Sequence, residues 1–283
     1  MSIFDSFVRK HDYLVCVDSD GCVMDTMNCK HFHCFGPCMV TEWELEAWKD
    51  EILDRWNVIN LFSMTRGINR FKGLAMALKE IDSKYKKITG VDALVHWADT
   101  APALSNDGAA KAAEAASDPD AKLVLQKALS WSKAVNAAIV QLPEELKIPY
   151  VGAKEGLAAA HIFADVAMVS SANRDAVEEE WGKFGLLEHT DIVLAQDVGS
   201  KAACINAMLK FGYDPNKVIM IGDAPGDSDA AERNKVHYYP ILVNHEKESW
   251  EEAVSVAFRK LQSGEYPEYG AQKKQEFLKN LGG

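Results

Sequence analysis

The fold of this chain is decided by the stretch Leu14-Val15-Cys16-Val17-Asp18-Ser19-Asp20-Gly21. An apolar run with β-branched residues is typical of a buried strand. Successive side chains of an extended segment point to opposite faces, so we expect Asp18 and Asp20 to point the same way. Two like charges beyond a buried strand end repel each other unless a cation lies between them or one carboxylate is protonated. This pair therefore favours a divalent cation held by oxygen ligands.

The whole-chain composition limits the classes of function. The 283 residues are enough for one large domain or two modest ones, and 48% hydrophobic with 26% charged residues is ordinary for a soluble globular protein. The net charge of -11 argues against binding to nucleic acid or anionic membranes, although a local basic pocket can still hold an anionic substrate. We find no membrane-spanning run and no signal pattern at the N-terminus, and we predict a cytoplasmic protein.

Four of the six cysteines cluster with two histidines. The cluster contains Cys22, Cys29, His31, His33, Cys34 and Cys38. One interpretation is a zinc site, but the cluster has no Cys-x-x-Cys pair and no second pair follows later in the chain. We favour the other interpretation, in which this segment leads from the first strand into the part of the chain that follows and its thiols are buried.

Residues from about 23 to 149 have the patterns of an all-helical domain. Thr41 and Glu44 have the spacing of a capping box, which predicts a helix running through Trp43 to Trp56. Further helices are predicted over Arg70 to Ile81, around Val91 to Trp97, over Ala109 to Ala116 with Asn106 or Asp107 as the cap, and from Pro119 to Val140.

From Gly152 onward, predicted helices alternate with short apolar strands. The helices are expected over 153–163, 173–184, 200–211, around 230–234 and over 250–261. The strands are expected over 166–169, 192–194, 218–221 and about 237–243, and the tail from Gly264 is polar, with Lys273 and Lys274 expected to be solvated. This alternation predicts a parallel sheet with both faces covered, which also contains the strand before Asp18.

In open parallel sheets the site lies beyond the carboxyl ends of the strands. This rule brings together Asp18 with Asp20, Ser170, Lys201, and Asp223 with Asp227. Carboxylates from two strand ends suit Mg²⁺, whose remaining ligands are usually water and phosphate oxygens. A hydroxyl and an ammonium at the same edge suit the oxygens of a phosphoryl group, and a carboxylate can act as the nucleophile by forming an acyl phosphate.

These motifs resemble those of the haloacid dehalogenase-like superfamily, over roughly residues 12–22 and 150–245. The four matching segments, in order, are Asp18-Ser19-Asp20-Gly21, Val169-Ser170, Val198-Gly199-Ser200-Lys201 and Gly222-Asp223-Ala224-Pro225-Gly226-Asp227. Each motif is loose alone, but four in the right order after the right elements are specific.

The resemblance implies a role for each motif residue. Asp18 is implied to be the nucleophile and a magnesium ligand. Asp20 is implied to be the general acid/base, and its backbone carbonyl another ligand. Ser170 and Lys201 would bind phosphoryl oxygens. Asp223 is implied to bind the metal directly, and Asp227 directly or through water. The acid at position 20 points to phosphoryl transfer, because dehalogenases lack it.

The resemblance also implies the domain organisation. Residues 1–22 and 150–283 are predicted to form a Rossmann-like α/β core, and residues 23–149 an inserted helical cap domain like those of phosphoglycolate phosphatase and β-phosphoglucomutase. The insertion is longer than the usual cap, and the alanine-rich stretch at about 103–145 accounts for the surplus. We expect that stretch either to extend the helical bundle or to form a dimer surface.

Several residues are candidates for binding the substrate. Arg66 and Arg70 carry guanidinium groups that suit a carboxylate or phosphate, although solvated arginines at a helix start are the alternative. Ser171 and Asn173 follow the second motif, where a helix N-terminus attracts anions, and Arg174 lies beside them.

The sequence favours a Mg²⁺-dependent phosphatase acting on a small phosphorylated metabolite through an aspartyl-phosphate. A phosphomutase on the same machinery is the main alternative, because Arg66 and Arg70 could form a second phosphate pocket. A phosphonatase needs a desolvated lysine to form a Schiff base; it is disfavoured, since Lys30 is the only nearby candidate and its neighbours Cys29 and His31 do not suggest such an amine. A non-catalytic binding protein is disfavoured because every motif residue is present. We expect a monomer or homodimer.

Overall fold

A five-stranded parallel sheet forms the centre of the α/β part of the chain. The computed structural model describes residues 3–283. The strand order is β3-β2-β1-β4-β5. The strands are β1 (Tyr13–Val17), β2 (Ala164–Val169), β3 (Ile192–Leu194), β4 (Val218–Gly222) and β5 (His237–Pro240). The predicted α/β class with a parallel sheet is confirmed.

The first strand is central because it pairs on both sides. Val17 lies opposite Met168 of β2 and opposite Ile221 of β4, and both pairings are parallel. The carboxyl ends of these three strands therefore meet at one edge of the sheet. All of the residues of β2 and β4 are buried, as expected for parallel strands covered on both faces.

The chain divides into two compact units. The α/β unit contains the residues up to Met27 together with Glu144–Gly283, and the helical unit is Asn28–Pro143. Each has its own cluster of buried apolar side chains. None of the helices in residues 3–283 is long and apolar enough to cross a membrane.

The helical unit is built around aromatic side chains. Trp131 contacts Phe35, Trp56 and Phe71 with ring centroids about 6 Å apart and tilted or edge-on planes, the arrangement that aromatic pairs prefer. The indole N–H of Trp131 donates to the Phe35 carbonyl (3.1 Å). The elements from Met27 onward are α1 (Met27–Lys30), a π-helical turn (His31–Phe35), α2 (Gly36–Glu42), α3 (Lys49–Asn60), α4 (Arg70–Lys84), α5 (Val91–Thr100), α6 (Asn106–Ala115) and α7 (Pro119–Val140).

The helices of the α/β unit cover the sheet. They are α8 (Ala153–His161), α9 (Arg174–Lys183), α10 (Lys201–Leu209), α11 (Pro225–Asn234), α12 (Glu246–Glu252), a π-helical turn (Ala253–Ala257), α13 (Phe258–Ser263) and α14 (Tyr266–Asn280). The apolar faces of α8, α9, α12 and α13 pack with β1, β2 and β4 in one buried cluster that includes Trp181 and Trp250.

The capping box predicted at Thr41 and Glu44 is wrong. Helix α2 already begins at Gly36, with Pro37 in its first turn, and it ends at Glu42. Glu44 has a positive φ of 54°, which stops the helix. The predicted helix through Trp43 to Trp56 is therefore split, and its second part begins at Lys49.

The cap predicted for the alanine-rich helix lies one residue earlier in the structure. Ser105, and not Asn106 or Asp107, accepts the backbone N–H of Gly108 (3.1 Å) and opens α6. Serine and asparagine are nearly equal as N-caps, so residue preference alone does not separate them.

The expectation that the tail lysines are solvated is wrong for Lys273, while Lys274 is 43% exposed. Residues Tyr266–Asn280 form α14, and Lys273 is only 5% exposed. Its ammonium pairs with Glu252 (2.8 Å) and with Glu276. The strand predicted to extend to about Val243 ends at Pro240, although the Ile241 N–H still donates to the Gly222 carbonyl (2.9 Å).

Candidate active site

The loop after β1 holds the first two acids. We call residues 18–24 the Asp-x-Asp loop. The Asp18 backbone N–H donates to the carbonyl of Ile221 (3.0 Å), which continues the pairing with β4. Gly21 has a φ of 86°, a conformation that glycine adopts at no steric cost. The turn keeps Asp18 buried and Asp20 half-buried.

A lysine joins two of the acids. Lys201 is the first residue of α10, and its Nζ lies 2.7 Å from Asp18 Oδ2 and 2.6 Å from Asp227 Oδ1. The other carboxylate oxygen of Asp227 accepts the backbone N–H of Ala224 (3.1 Å). Asp18 after β1, Lys201 at the start of α10 and Asp227 in the first turn of α11 thus meet through charge-assisted hydrogen bonds.

Asp18, Asp223 and Asp227 form a buried acidic cluster. One carboxylate oxygen from each lies within 4.8 Å of the others. Ligands on opposite sides of a magnesium ion are about 4.2 Å apart, so small side-chain movements would bring these oxygens into its shell. If all three carboxylates are ionised, the Lys201 ammonium neutralises one of their negative charges. A divalent cation would balance the remaining two. The donor set therefore fits Mg²⁺ in ligand type, spacing and charge.

The protonation of Asp18 depends on this environment. Burial raises the pKa of its carboxyl well above the usual range, and the negative charges of Asp227 and Asp223 raise it further, while Lys201 opposes the shift. For Lys201, burial lowers the pKa, but the two adjacent carboxylates outweigh burial and hold the pKa above the usual lysine range. A bound cation would favour the ionised form of Asp18 by the same Coulombic argument.

The remaining motif residues lie at the same sheet edge. Asp20 Oδ1 accepts the hydroxyl proton of Thr26 (2.5 Å), a contact that sequence reasoning did not assign. Ser170 follows β2 directly, and its Oγ accepts the backbone N–H of Ala172 (3.1 Å). Ser171 is exposed, and the Asn173 side chain caps α9 by accepting from Ala176.

The basic candidates have protein partners. Arg66 is 2% exposed and donates to the Leu61 carbonyl (2.9 Å) at the end of α3. Arg70 donates to Asn136 (2.7 Å) and Ser132 (3.1 Å) on α7. Their role toward a substrate stays a prediction.

Arg174 sits against acids of its own unit. It pairs with Asp197 (2.9 and 3.1 Å) and with Glu178 (3.0 Å). These contacts tie the start of α9 to the loop that leads to Lys201.

Gly222 is a site residue that sequence reasoning left without a role. A Cβ built on it would lie 2.3 Å from Cγ and 2.4 Å from Oδ2 of Asp227. A glycine at the end of an otherwise apolar strand is a signal for a close approach of this kind.

The family comparison agrees with this geometry. The model of the haloacid dehalogenase-like hydrolase family matches residues 109–241, which contain Ser170, Lys201, Asp223 and Asp227. The matched segment and the Asp-x-Asp loop reach the same edge of the sheet, so this part of the chain is similar to the haloacid dehalogenase-like hydrolases. The comparison with curated proteins finds no match.

Solved structures provide a second comparison. A protein from Thermotoga maritima assigned as a β-phosphoglucomutase is 14% identical, with 87% of this chain and 99% of that chain covered and a TM-score of 0.52. One from Lactobacillus delbrueckii subsp. bulgaricus assigned as a phosphoglycolate phosphatase is also 14% identical, with coverages of 81% and 85% and a TM-score of 0.49. A haloacid dehalogenase-like family hydrolase from Xanthomonas campestris has 14% identity, coverages of 95% and 98%, and a TM-score of 0.48. At such identity, the likeness to the first structure supports the fold alone.

Proposed function

We propose that this protein is a Mg²⁺-dependent phosphatase that hydrolyses a small phosphate monoester through an aspartyl-phosphate on Asp18. The single observation that carries the proposal is the contact of Lys201 with both Asp18 and Asp227 inside a buried three-acid cluster. The proposal is supported because the proposed nucleophile, the proposed cation ligands and the proposed phosphate-binding ammonium lie within a few ångströms of one another. The match of residues 109–241 to a hydrolase family and a likeness in fold to an assigned phosphomutase support phosphoryl chemistry.

In the first step, Asp18 attacks the phosphorus and the ester oxygen leaves. Lys201 binds Oδ2 of Asp18, so we assign Oδ1 as the attacking oxygen. Asp20 gives its proton to the leaving oxygen, and an alcohol is released. Lys201 and Ser170 donate hydrogen bonds to the phosphoryl oxygens, where negative charge is concentrated.

In the second step, water replaces Asp18 on the phosphorus. Asp20, now ionised, takes a proton from this water, whose oxygen attacks the acyl phosphate. Inorganic phosphate leaves and Asp18 returns as a carboxylate. Asp18, Asp223, Asp227 and the backbone carbonyl of Asp20 would hold the magnesium ion, which supplies positive charge beside the transferring group when bound.

The test is phosphate release from a panel of phosphorylated metabolites, with Mg²⁺ and with EDTA. We expect release from one or a few compounds with Mg²⁺ only. Asp18→Asn keeps the shape of the side chain but removes the nucleophilic charge, so turnover should fall by at least about a thousandfold.

Asp12→Asn is the matched control. Asp12 is an exposed acid of the same unit that pairs with Arg9 and Lys217, and its variant should keep full turnover. Undiminished Mg²⁺-dependent release by Asp18→Asn would exclude Asp18 as the nucleophile. Isomerisation of a sugar phosphate without net phosphate release would show the phosphomutase instead.

A further inference from the structure

Two buried indole groups hold the Asp-x-Asp loop from the side of the core. The Nε1–H of Trp181, on α9, donates to Ser19 Oγ (2.8 Å). The Nε1–H of Trp250, on α12, donates to the carbonyl of Cys22 (3.0 Å). Ser19, Cys22 and Trp181 are fully buried, and Trp250 is nearly so. The loop is thus fixed by hydrogen bonds from two different helices.

Ser19 is the residue on which the turn depends. Its carbonyl accepts three backbone N–H groups, from Cys22 (3.3 Å), Val23 (2.9 Å) and Met24 (2.9 Å). Because side chains alternate along an extended segment, its hydroxyl points away from the face shared by Asp18 and Asp20. A backbone rotation at residue 19 would therefore change the direction of Asp20 relative to Asp18.

The hydrogen bond between Ser19 and Trp181 is a polar contact inside an apolar cluster. Trp181 packs there with Val17 and Val177 among other apolar side chains. A buried hydroxyl or indole N–H costs free energy unless it has a partner, and an alanine or valine at position 19 would avoid that cost. A serine whose hydroxyl accepts a hydrogen bond from the Trp181 indole is instead held in one orientation.

We propose that Trp181 is a positioning residue of the active site. Its indole N–H fixes the orientation of Ser19, and through Ser19 it fixes the orientation of the Asp18 and Asp20 carboxylates relative to each other. This inference rests on the proposed function, since it takes Asp18 as the nucleophile and Asp20 as the acid/base. Helix α9 begins just after Ser170, so Trp181 also links the second motif to the first.

A positioning role has a kinetic signature. Displacing a reacting group by about 1 Å can lower the rate by about a hundredfold. Ser170 and Lys201 are the groups proposed to bind the phosphoryl oxygens. Neither takes part in the hydrogen bond between Trp181 and Ser19. Loss of the bond should therefore lower kcat and leave KM nearly unchanged. The affinity for Mg²⁺ should also fall, because Asp18 and the Asp20 carbonyl are proposed ligands.

The experiment is a double-mutant cycle with Ser19→Ala, Trp181→Phe and the double variant. Each single variant should lower kcat about tenfold, with KM changed less than about twofold. The double variant should fall no further than the single variants, because all three lack the same hydrogen bond. Mg²⁺ affinity, measured by calorimetry, should weaken in parallel. Ser19→Ala is the smaller change and serves if Trp181→Phe does not fold.

Tyr239→Phe is the matched control. The Tyr239 hydroxyl is buried in the same unit and donates to the Ser249 carbonyl (2.7 Å), away from the loop. This variant should lose stability as the cycle variants do, yet keep wild-type kcat and Mg²⁺ affinity. Stability loss without a change in kcat or Mg²⁺ affinity for Ser19→Ala would reduce Trp181 to a packing residue and overturn the inference.

The same data separate this inference from the proposed function. If wild-type protein binds Mg²⁺ but releases phosphate from no ester, the proposed function fails and the Mg²⁺ affinities decide the role of Trp181. Weaker Mg²⁺ binding by Ser19→Ala, with normal binding by Tyr239→Phe, supports positioning, and equal affinities overturn it. A wild-type protein with neither Mg²⁺ binding nor phosphate release overturns both proposals.

Discussion

Gly222 shows how one missing side chain determines the position of a neighbouring acid. The carboxylate of Asp227 lies over the Cα of Gly222 while it contacts Lys201 and the Ala224 backbone. Gly222→Ala places a methyl group against this carboxylate. We expect Asp227 to move and Mg²⁺ affinity, measured by calorimetry, to fall at least about tenfold, the effect of losing about 1.4 kcal/mol of binding free energy.

Gly226→Ala is the control for this prediction. A Cβ on Gly226 meets nothing within 4 Å, and the residue lies in the first turn of α11. Alanine favours helix over glycine, so this variant should keep its Mg²⁺ affinity and be slightly more stable. Equal Mg²⁺ affinities for Gly222→Ala and wild type would show that Asp227 is not needed as a ligand.

The meeting of the motif residues was predictable from sequence because the carboxyl ends of parallel strands share one edge of the sheet. Asp18, Lys201 and Asp227 are far apart in the chain, yet each follows a recognisable strand or opens a helix. Trp181 was not predictable as a partner of Ser19. Its distance along the chain from Ser19 is large, and an indole on a helix face is ordinarily core packing.

At the scale of elements, α14 depends on a lysine in its buried face. Lys273 pairs with Glu252 and Glu276, while the adjacent Lys274 is 43% exposed and pairs with Glu232 (3.3 Å). Lys273→Ala should lower the free energy of unfolding by about 2 kcal/mol, because it removes charge-assisted hydrogen bonds from a buried position. Denaturant unfolding measures the difference.

Lys274→Ala tests whether burial, and not charge alone, matters. An exposed ion pair contributes little, so this variant should stay within about 0.5 kcal/mol of wild type. Equal losses for the two lysine variants would contradict the assignment of Lys273 to the core of the α/β unit.

The same lysine explains why the tail helix was not predicted. Tyr266, Lys273 and Phe277 recur at helical spacing on the buried face, but a lysine at the centre of that face obscures the apolar period. The split at Trp43 has a different cause. The positive φ of Glu44 follows from the local packing of the chain, which a capping pattern of residue types cannot reveal.

At the scale of the whole molecule, the helical unit has a core of its own. Its buried cluster includes Trp56, Phe71 and Trp131, and the alanine-rich α6 joins it through Ala109 and Ala113 against α7. The alanine-rich stretch, which accounts for the extra length predicted for this insertion, thus extends the helical bundle. We expect the fragment 28–143, expressed alone, to be helical by circular dichroism and to unfold cooperatively, since it buries its own apolar faces.

Replacing Trp131 provides the control for that fragment. Trp131→Ala removes the central ring of the cluster and should cost about 3–5 kcal/mol, enough to abolish the cooperative transition. A fragment that is unfolded without this substitution would show that the helical unit needs the α/β unit to fold.

The two ends of the insertion leave the α/β unit side by side. Met24 and Pro149 form an antiparallel bridge, the Asp25 N–H donates to the Ile148 carbonyl (2.8 Å), and the Tyr150 N–H donates to the Val23 carbonyl (2.9 Å). A segment whose two junctions are hydrogen-bonded to each other can lengthen or be exchanged without stretching the sheet. Insertions, deletions or exchanges between these junctions can therefore accumulate during evolution without disturbing the register of the five strands.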